Sequence, residues 1–272
     1  MKFSDMSYSR PDVQALANRF NDLLKNFDTA ETAEKQKEVL SSINELKNEF
    51  HTFSSLASVR NSINTQDPFY ESEQAYFDTN EPLLKDLNVR FYKALGNSRF
   101  KDELQKKFGQ QLFRLADISL KTFDTSIIDD LKEENRLGTE YTKLVASAEV
   151  EFNGEKITLS ALEAFAESTD RAVRKKAYEA KWGWFAQHEQ KFDELYDLLV
   201  KVRHRMATKL GYKNFVELAY YRMSRTDYNA EKVAVFREQV RKYVVPIATQ
   251  LRERQRQRIG VDKLKAYDWN HN

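Results

Sequence analysis

Cysteine is absent from this sequence, which excludes disulfide bonds and thiolate metal sites and is compatible with a reducing compartment such as the cytoplasm. Glycine and proline are scarce, with 7 and 4 residues among 272. Few tight turns are therefore available, and long helices are favoured over many short strands. No run approaches the roughly 18 apolar residues of a membrane span, and the first residues lack the apolar segment of a signal peptide. We expect a helical, cytoplasmic protein that has no membrane partner.

An excess of either charge is also lacking, because 44 lysines and arginines stand against 42 aspartates and glutamates, for a net charge of +2. Such a balance gives no electrostatic reason to expect nucleic acid or an anionic membrane as a partner. The basic run RERQRQR, residues 252–258, is most simply a solvated helix end. A hydrophobic content of 41% is sufficient for a buried core, so the chain should fold.

Apolar residues recur at steps of three and four through most of the first half, which is the spacing of one helix face. The helices predicted from this spacing cover about residues 11–27, 29–64, 67–96, 100–122 with a break near Gly109, and 126–147. Asp67 should cap the third helix with Pro68 in its first turn, and Gly96 should end it. Pro82 should kink or break this helix, because proline lacks the N–H that the helix needs.

At Val150 the spacing of apolar residues changes from steps of three and four to steps of two. Val150–Phe152 and Lys156–Thr158 alternate apolar and polar residues around Asn153-Gly154, a pair preferred in type I′ turns, so a short β-hairpin is predicted near residues 150–158. The predicted fold class is therefore all-α with one short hairpin. No Ser/Gly/Pro-rich linker divides the chain, which favours one continuous helical body.

After the hairpin, one helix of about 40 residues is predicted from Thr169 onward, on the order of 60 Å long. A shorter helix should follow Gly211, and a last one should run from about Ala230 to Arg258 with Pro246 inside it. The apolar stripe expected to face the core of the long helix consists of Tyr178, Trp182, Phe185, Phe192, Tyr196, Leu199, Met206 and Leu210.

On the long helix, His188-Glu189-Gln190-Lys191-Phe192 begins like the zinc motif H-E-x-x-H but places Phe192 where the second histidine belongs. Phe192 cannot coordinate a metal, so His188 is interpreted as a histidine at the core boundary. His204 lies sixteen residues further along, about 24 Å away on a helix, and cannot share an ion with His188. His51 and His271, the remaining histidines, give no metal-ligand spacing. Glycine-rich phosphate loops and a G-x-S-x-G nucleophile motif are absent as well.

The densest polar and aromatic cluster is AYYRMSRTDYN, residues 219–229. Tyrosine hydroxyls and guanidinium groups there could bind a peptide backbone or a terminal carboxylate. Alternatively, Asp227 caps the next helix, an arginine pairs with a carboxylate, and the tyrosines pack; we favour this structural interpretation. The candidate substrate-cleft residues are Tyr220, Tyr221, Arg222, Arg225 and Tyr228.

Several segments together carry a resemblance to a known family. They are MKFSDMSYSRPD (1–12), RNSINTQDPFYESEQAYFDTNEP (60–82), STDRAVRKKAYEAKWGWF (168–185) and KVRHRMATKLGYKNFVELAYYRMSRTDYN (201–229). In this order they resemble the oligoendopeptidase F family of zinc metallopeptidases, relatives of thimet oligopeptidase. The resemblance extends over essentially the whole chain and implies a zincin-like helical oligopeptidase.

Members of that family enclose a deep cleft and cut short peptides. Their zinc is held by two histidines of H-E-x-x-H and a later glutamate, all in the C-terminal half. The resemblance therefore implies that this chain is the N-terminal half, inactive alone, with no catalytic or metal residue of its own. It also implies zinc as the cofactor of the parent protein, and short peptides and the C-terminal catalytic half as partners. Residues 1–185 would form one wall of the peptide cleft, and residues 186–272 would begin the catalytic region.

A missing C-terminal half would also leave a surface uncovered. Helices after about Thr169 would normally pack against it, so the chain alone should expose apolar surface from Trp182, Trp184, Phe236 or Val240 and should self-associate.

Two alternatives remain open on the sequence alone. The chain could be a non-enzymatic helical module that binds peptides or proteins, or a structural bundle of the coiled-coil kind. The hairpin and the aromatic stripes argue against a simple coiled coil.

Overall fold

A computed structural model describes residues 2–271 and confirms the predicted fold class. The helices are α1 (Val13–Thr29), α2 (Ala33–Ile63), α3 (Pro68–Gly96), α4 (Lys101–Phe108), α5 (Gln110–Lys121), α6 (Ile128–Ala146), α7 (Leu159–Ala166), α8 (Arg171–Gln187), α9 (Glu189–Lys209), α10 (Phe215–Arg222), α11 (Ala230–Gln239) and α12 (Val245–Arg258). The strands β1 (Glu149–Phe152) and β2 (Glu155–Thr158) pair antiparallel, with Val150 opposite Ile157.

The described residues divide into two compact units. The first comprises residues 2–143 together with Asp197–Thr226, and the second comprises Leu144–Tyr196 together with residues 227–271. The functional division expected near residue 185 concerns the roles of the two regions and stays a prediction.

The core of the first unit lies among α1 to α5. Their apolar faces follow the steps of three and four read from the sequence, and side-chain caps fix where the helices begin: Asp12 accepts from the Ala15 N–H, and Asp67 accepts from the Phe69 and Tyr70 N–H groups. The fully buried side chains of this core are Phe20, Phe27, Ile43, Phe50, Phe91, Leu95 and Leu104. Burying each of these side chains stabilises the fold by roughly 1.5–3 kcal/mol, because its apolar surface is removed from water.

A second apolar cluster in the first unit joins the start of α6 to the end of α9 and to α10. Its buried members are Phe123, Ile127, Leu131, Met206, Ala207 and Leu218. This cluster holds α10, which carries most of the candidate residues, against the unit.

The second unit is built around the hairpin, α7 and α8, with Val150, Phe152, Leu162, Ala177 and Trp184 in its core. The predicted type I′ turn is confirmed: Asn153 and Gly154 both have positive φ, at 55° and 85°. Helix α7 was not predicted. Thr158 ends β2 and caps α7 by accepting from the Ala161 N–H, so no linker separates strand from helix.

The prediction of one 40-residue helix is wrong, because the chain leaves helical geometry at His188. The imidazole Nδ1 of His188 lies 2.8 Å from the carbonyl oxygen of Trp184. That oxygen is the one that the His188 backbone N–H would bind in a continuing helix. The backbone N–H instead donates to Phe185, so the side chain competes for the helical acceptor and helix α8 ends.

The buried face also differs from part of the predicted stripe, which is wrong at these positions. Trp184, outside the stripe, is 8% exposed, whereas Tyr196, inside it, is 71% exposed. Leu195 is buried in its place.

Pro82 does not break α3, which continues through it to Gly96; of the predicted kink or break, the break is therefore wrong. The carbonyl left without a helical donor by a proline is that of the residue four positions earlier, here Asp78. The side-chain Nδ2 of Asn135 donates to this oxygen at 3.2 Å. A tertiary hydrogen bond thus replaces the missing one, and Pro82 is buried within the helix.

Pro246 has a different effect. A π-helical turn, Val240–Val244, separates α11 from α12, and the Val245 N–H donates to the Val240 carbonyl five residues earlier. The wider turn accommodates the proline ring, which would collide with the carbonyl of Lys242 in a regular α-helix. The predicted single helix from Ala230 to Arg258 is therefore interrupted.

The Asp78–Asn135 bond can be tested by a double-mutant cycle. Asn135→Ala should lower the free energy of unfolding by about 1–2 kcal/mol, because it leaves the Asp78 carbonyl unpaired. In a Pro82→Ala background the substituted residue regains a backbone N–H that can bind this carbonyl, so Asn135→Ala should cost markedly less. The measurement is urea unfolding followed by circular dichroism for the four proteins. Equal costs in the two backgrounds would contradict this account of Pro82.

Candidate functional site

Four of the five candidate residues lie in the first unit. Tyr220, Tyr221 and Arg222 end α10, and Arg225 follows it, whereas Tyr228 belongs to the second unit. The structure therefore does not assemble the five into one constellation within a single unit.

The tyrosines of α10 make local contacts. The guanidinium of Arg225 lies over the Tyr220 ring at 4.2 Å. The Tyr221 hydroxyl donates to Glu217 at 3.4 Å, and the Lys121 ammonium lies 5.0 Å from the Tyr221 ring. These contacts fix the rings on the surface of the unit, as the structural interpretation predicts.

Arg222 pairs with Glu134 of α6. Its Nη1 and Nη2 donate to the two carboxylate oxygens at 3.2 and 2.7 Å, and Arg203 of α9 adds a third bond from Nε at 2.7 Å. Both guanidinium groups also lie within 6 Å of the Phe215 ring, at 5.6 and 5.7 Å. The expected pairing of an arginine with a carboxylate is thus confirmed by Arg222.

Glu134 is almost fully buried, with 8% of its side chain exposed. Burial raises the pKa of its carboxyl group, but the hydrogen bonds and charges of Arg222 and then Arg203 outweigh burial and hold the pKa below its usual value. Nearby on α3, burial lowers the pKa of Lys85, and the charge of Arg222 lowers it further. One buried carboxylate is therefore shared by two arginines.

The two arginines form one side of a polar cleft with a volume of about 320 Å³. The lining includes Asn61, Gln74, Asp78, Glu134, Arg203 and Arg222. Amide, carboxylate and guanidinium groups of this kind can bind the backbone of a peptide. The titratable side chains among the described residues that line the cleft are the carboxyl groups Asp78, Glu81 and Glu134 and the two arginines.

Asp227 does not cap the next helix, so that part of the structural interpretation is wrong. Asn229 caps α11 and accepts from the Lys232 N–H, while the Asp227 carbonyl accepts from the Lys232 ammonium. Asn229 lies directly before the first helical residue, which is the position from which a side chain reaches the free N–H groups.

Glu134 and Arg203 were not predicted from the sequence. A usable signal was present: Asp130 and Glu134 are four residues apart on α6, and Arg205 and Lys209 are four apart on α9. Asp130 accepts from Arg205 Nε at 2.5 Å and from Lys209 Nζ at 2.6 Å. Complementary charges at matching helical spacing can indicate which two helices pair.

His188 has the structural role predicted for it. Its ring stacks on Trp184, with centroids 4.2 Å apart, at the end of α8. Between residues 2 and 271, no three histidine, aspartate or glutamate side chains come together so that they could hold a metal ion. The described residues therefore do not fit a zinc site.

The basic run at 252–258 does more than form a solvated helix end. Gln255 is buried and donates through Nε2 to the carbonyls of Asp268 and Trp269 at 3.1 and 3.3 Å, and Arg252 donates to Trp269 at 2.7 Å. These bonds hold the last described residues. As for membrane segments, the helices in the described part of the chain include none that is long and apolar enough to cross a bilayer.

Replacement of the buried carboxylate gives a test with a defined pH dependence. Glu134→Gln should lower the free energy of unfolding by about 2 kcal/mol at pH 7, because two arginines lose their shared counter-ion. The lowered pKa of Glu134 means that its contribution is complete above the ordinary value of about 4.3 and is lost as the pH falls through the folded-state pKa. The difference between wild type and variant should therefore shrink below about pH 4.

The measurement is urea unfolding at several pH values. Glu34→Gln, which removes an exposed pair with Lys37, is the matched control and should change stability little. A Glu134→Gln cost that does not vary with pH would contradict the assignment.

Two family models match this chain in order. Residues 3–123 match the model described as Peptidase M3 N-terminal domain, and residues 164–272 match the model described as Peptidase family M3. The comparison with curated proteins found no match.

Solved structures give a consistent result. "PZ peptidase A with inhibitor 2" is 53% identical, with a TM-score of 0.93 over 98% of this chain and 48% of that chain. An oligoendopeptidase F solved at 3.1 Å is 49% identical, with a TM-score of 0.95 over 100% of this chain and 48% of that one. An oligoendopeptidase F from Bacillus anthracis str. Ames is 48% identical, with a TM-score of 0.93 over 100% of this chain and 50% of that chain.

The chain thus spans about half the length of these solved proteins. The similarity in sequence and in fold confirms the resemblance to oligoendopeptidase F. Because the two family models match successive parts of the sequence and the structural similarity covers essentially all of it, the chain belongs to peptidase family M3.

Proposed function

We propose that this chain is the N-terminal part of a cytoplasmic zinc metalloendopeptidase that hydrolyses short oligopeptides. The observation that carries the proposal is the 53% identity to a solved PZ peptidase A, together with the M3 family match. The absence of cysteine is compatible with the reducing cytoplasm.

The zinc ligands and the catalytic residues are proposed to lie outside residues 1–272. The sequence contains no H-E-x-x-H, and the described side chains do not fit a metal site. On this proposal the 272-residue chain binds no zinc tightly and does not cleave peptides alone. Residues 1–185 are proposed to form one wall of a peptide cleft, and residues 186–272 to begin the catalytic region.

The polar cleft beside Arg222 supports a contact with the peptide backbone within the first unit. Arg222 and Arg203 lie on a shared carboxylate, and amide side chains such as Gln74 line the same cleft. Tyr220 and Tyr221 precede Arg222 on α10 and Arg225 follows this helix, and these three remain proposed peptide contacts; Tyr228 remains a separate candidate in the second unit.

The reading frame and the activity test this proposal together. The gene translated past codon 272 should encode H-E-x-x-H, and the protein made from the whole frame should cleave an internally quenched short peptide. A zinc chelator should abolish this activity, and added zinc should restore it. The 272-residue protein is the matched control and should show neither cleavage nor stoichiometric zinc.

Metal-dependent cleavage by residues 1–272 alone would contradict the placement of the site. A stop codon directly after residue 272 would favour the alternative of a non-enzymatic peptide-binding module.

An exposed apolar surface supports the C-terminal half as a partner. Along α11, the π turn and α12, the half-exposed or more exposed apolar side chains are Val235, Phe236, Tyr243, Val244, Val245, Ile247 and Leu251. Phe236 and Trp182 are exposed as expected for an uncovered surface, whereas Trp184 is buried and that part of the expectation is wrong. A continuous apolar surface on a soluble protein commonly marks an interface.

The uncovered surface should make the 272-residue protein self-associate. Light scattering should show a molecular mass that increases with concentration, and the double variant Phe236→Ser, Ile247→Ser should remain monomeric because it interrupts the apolar surface. The matched control is Val216→Ser, an equally exposed apolar residue on α10 of the first unit. A concentration-independent monomer for the unmodified chain would contradict this role of the surface.

A further inference from the structure

A pocket in the second unit is distinct from the cleft beside Arg222. It has a volume of about 330 Å³ and is built by α7, α8 and the segment 266–270. Pockets of roughly 300 Å³ and above are large enough for small ligands. The side chains that define its chemistry are Arg174, Tyr178, Lys181, Trp182, Tyr267 and Trp269.

The aromatic walls of this pocket are open to solvent yet held in place. Trp182 and Trp269 are 51% and 56% exposed, so both rings are accessible to a ligand. Tyr178 contacts the rings of Trp182 and Tyr267, at centroid distances of 6.0 and 6.1 Å. The guanidinium of Arg252 lies 5.5 Å from the Trp269 ring. Rings supported in this way offer stacking surfaces at little cost in conformational entropy.

The polar end of the pocket is Arg174, which is 2% exposed. Its Nη1 donates to the carbonyls of Ser168 and Thr169 at 2.8 and 3.1 Å, and its Nη2 donates to Asp268 at 3.0 Å. The Nε–H has no hydrogen-bond partner among the described protein groups. A buried donor without an acceptor is unfavourable, so an oxygen delivered by a ligand would complete this guanidinium.

The charges around the pocket favour an anion. Arg171 and Arg174 share the single carboxylate of Asp268, and Lys181 pairs with Glu163. Among the residues that line the pocket, Arg174 and Lys181 are cationic and Glu163 is anionic, and this positive excess lies beside the aromatic walls.

We propose that this pocket binds an aromatic carboxylate, the chemistry of a peptide's C-terminal aromatic residue. The ring packs against Trp182 and Trp269, and the carboxylate lies at the Arg174 end. The assignment to a peptide terminus rests on the proposed function, whereas binding of a free aromatic carboxylate does not. A subsite of this kind would select peptides by their last residue.

The test is a calorimetric titration of the 272-residue protein with N-acetyl-L-phenylalanine. The acid should bind with one-to-one stoichiometry and at least about tenfold more tightly than N-acetyl-L-phenylalanine amide, since a carboxylate forms the stronger bond with an arginine. N-acetylglycine, which has the carboxylate without the ring, should bind too weakly to measure. Equal affinities for the acid and the amide, or the absence of saturable binding, would overturn the proposal.

Variants separate the two halves of the site. Trp182→Ala should weaken binding of the acid about tenfold by removing one stacking surface, whereas Tyr196→Ala, an exposed aromatic of the same unit outside the pocket, should leave it unchanged. Arg174→Lys keeps the charge without the Nε–H and should reduce the preference for acid over amide, with melting by circular dichroism as the check on folding. If that variant does not fold, Lys181→Met should reduce the same preference by lowering the positive charge.

An unaltered affinity in Trp182→Ala would also overturn the proposal. Because the titration requires no peptidase activity, its failure is distinguishable from failure of the proposed function.

Discussion

The two buried carboxylates of α6 fix the arrangement on which the first unit depends. Asp130 and Glu134 lie one helical turn apart, and each accepts hydrogen bonds from two cationic side chains. A carboxylate removed from water is costly unless its oxygens are occupied, so the arginines and the lysine must stay where they are. The segment 197–226 is thereby held in one position, and Arg222 with it. The cleft beside Arg222 is a consequence of this constraint.

The second unit uses the same principle around Asp268, which is fully buried. Burial raises the pKa of this carboxyl group, but hydrogen bonds from Arg171, the Lys265 N–H and Arg174 outweigh burial and hold the pKa well below its usual value. The carboxylate thus joins α8 to the last described segment. The aromatic pocket exists because this ion pair holds Tyr267 and Trp269 beside α8.

Features fixed by adjacent residues were predictable from the sequence. The Asp67 cap, the Asn153-Gly154 turn and the break at Gly109 depend only on local backbone geometry, and all three were correctly identified. Features that depend on a partner distant in sequence were not predictable in this way. In α3, which continues through Pro82, the Asp78 carbonyl accepts a hydrogen bond from Asn135, more than fifty residues away. No local sequence pattern predicts that hydrogen bond.

The candidate site shows the same division between local and distant information. Arg222 was selected by its residue type, but its partner Glu134 lies 88 residues earlier and was not. The end of α8 is an intermediate case, because the competing imidazole of His188 is local, yet its position depends on packing against Trp184. The spacing of apolar residues predicts which side chains can be buried. Which of them are buried is decided by packing against other parts of the protein.

The family relationship and the lack of a metal site in the described residues are compatible under the proposed function. The similarity to solved peptidases extends over the whole chain, as expected when buried packing and ion pairs, not reacting groups, preserve a fold. Under the proposed function, the polar and aromatic surfaces found here would contact parts of a peptide that do not react. Such contacts stabilise ground state and transition state equally, so they change KM and leave kcat nearly constant. Under the proposed function, this part of the protein would therefore influence which peptides are bound, and the bond-breaking chemistry would be supplied by residues outside it.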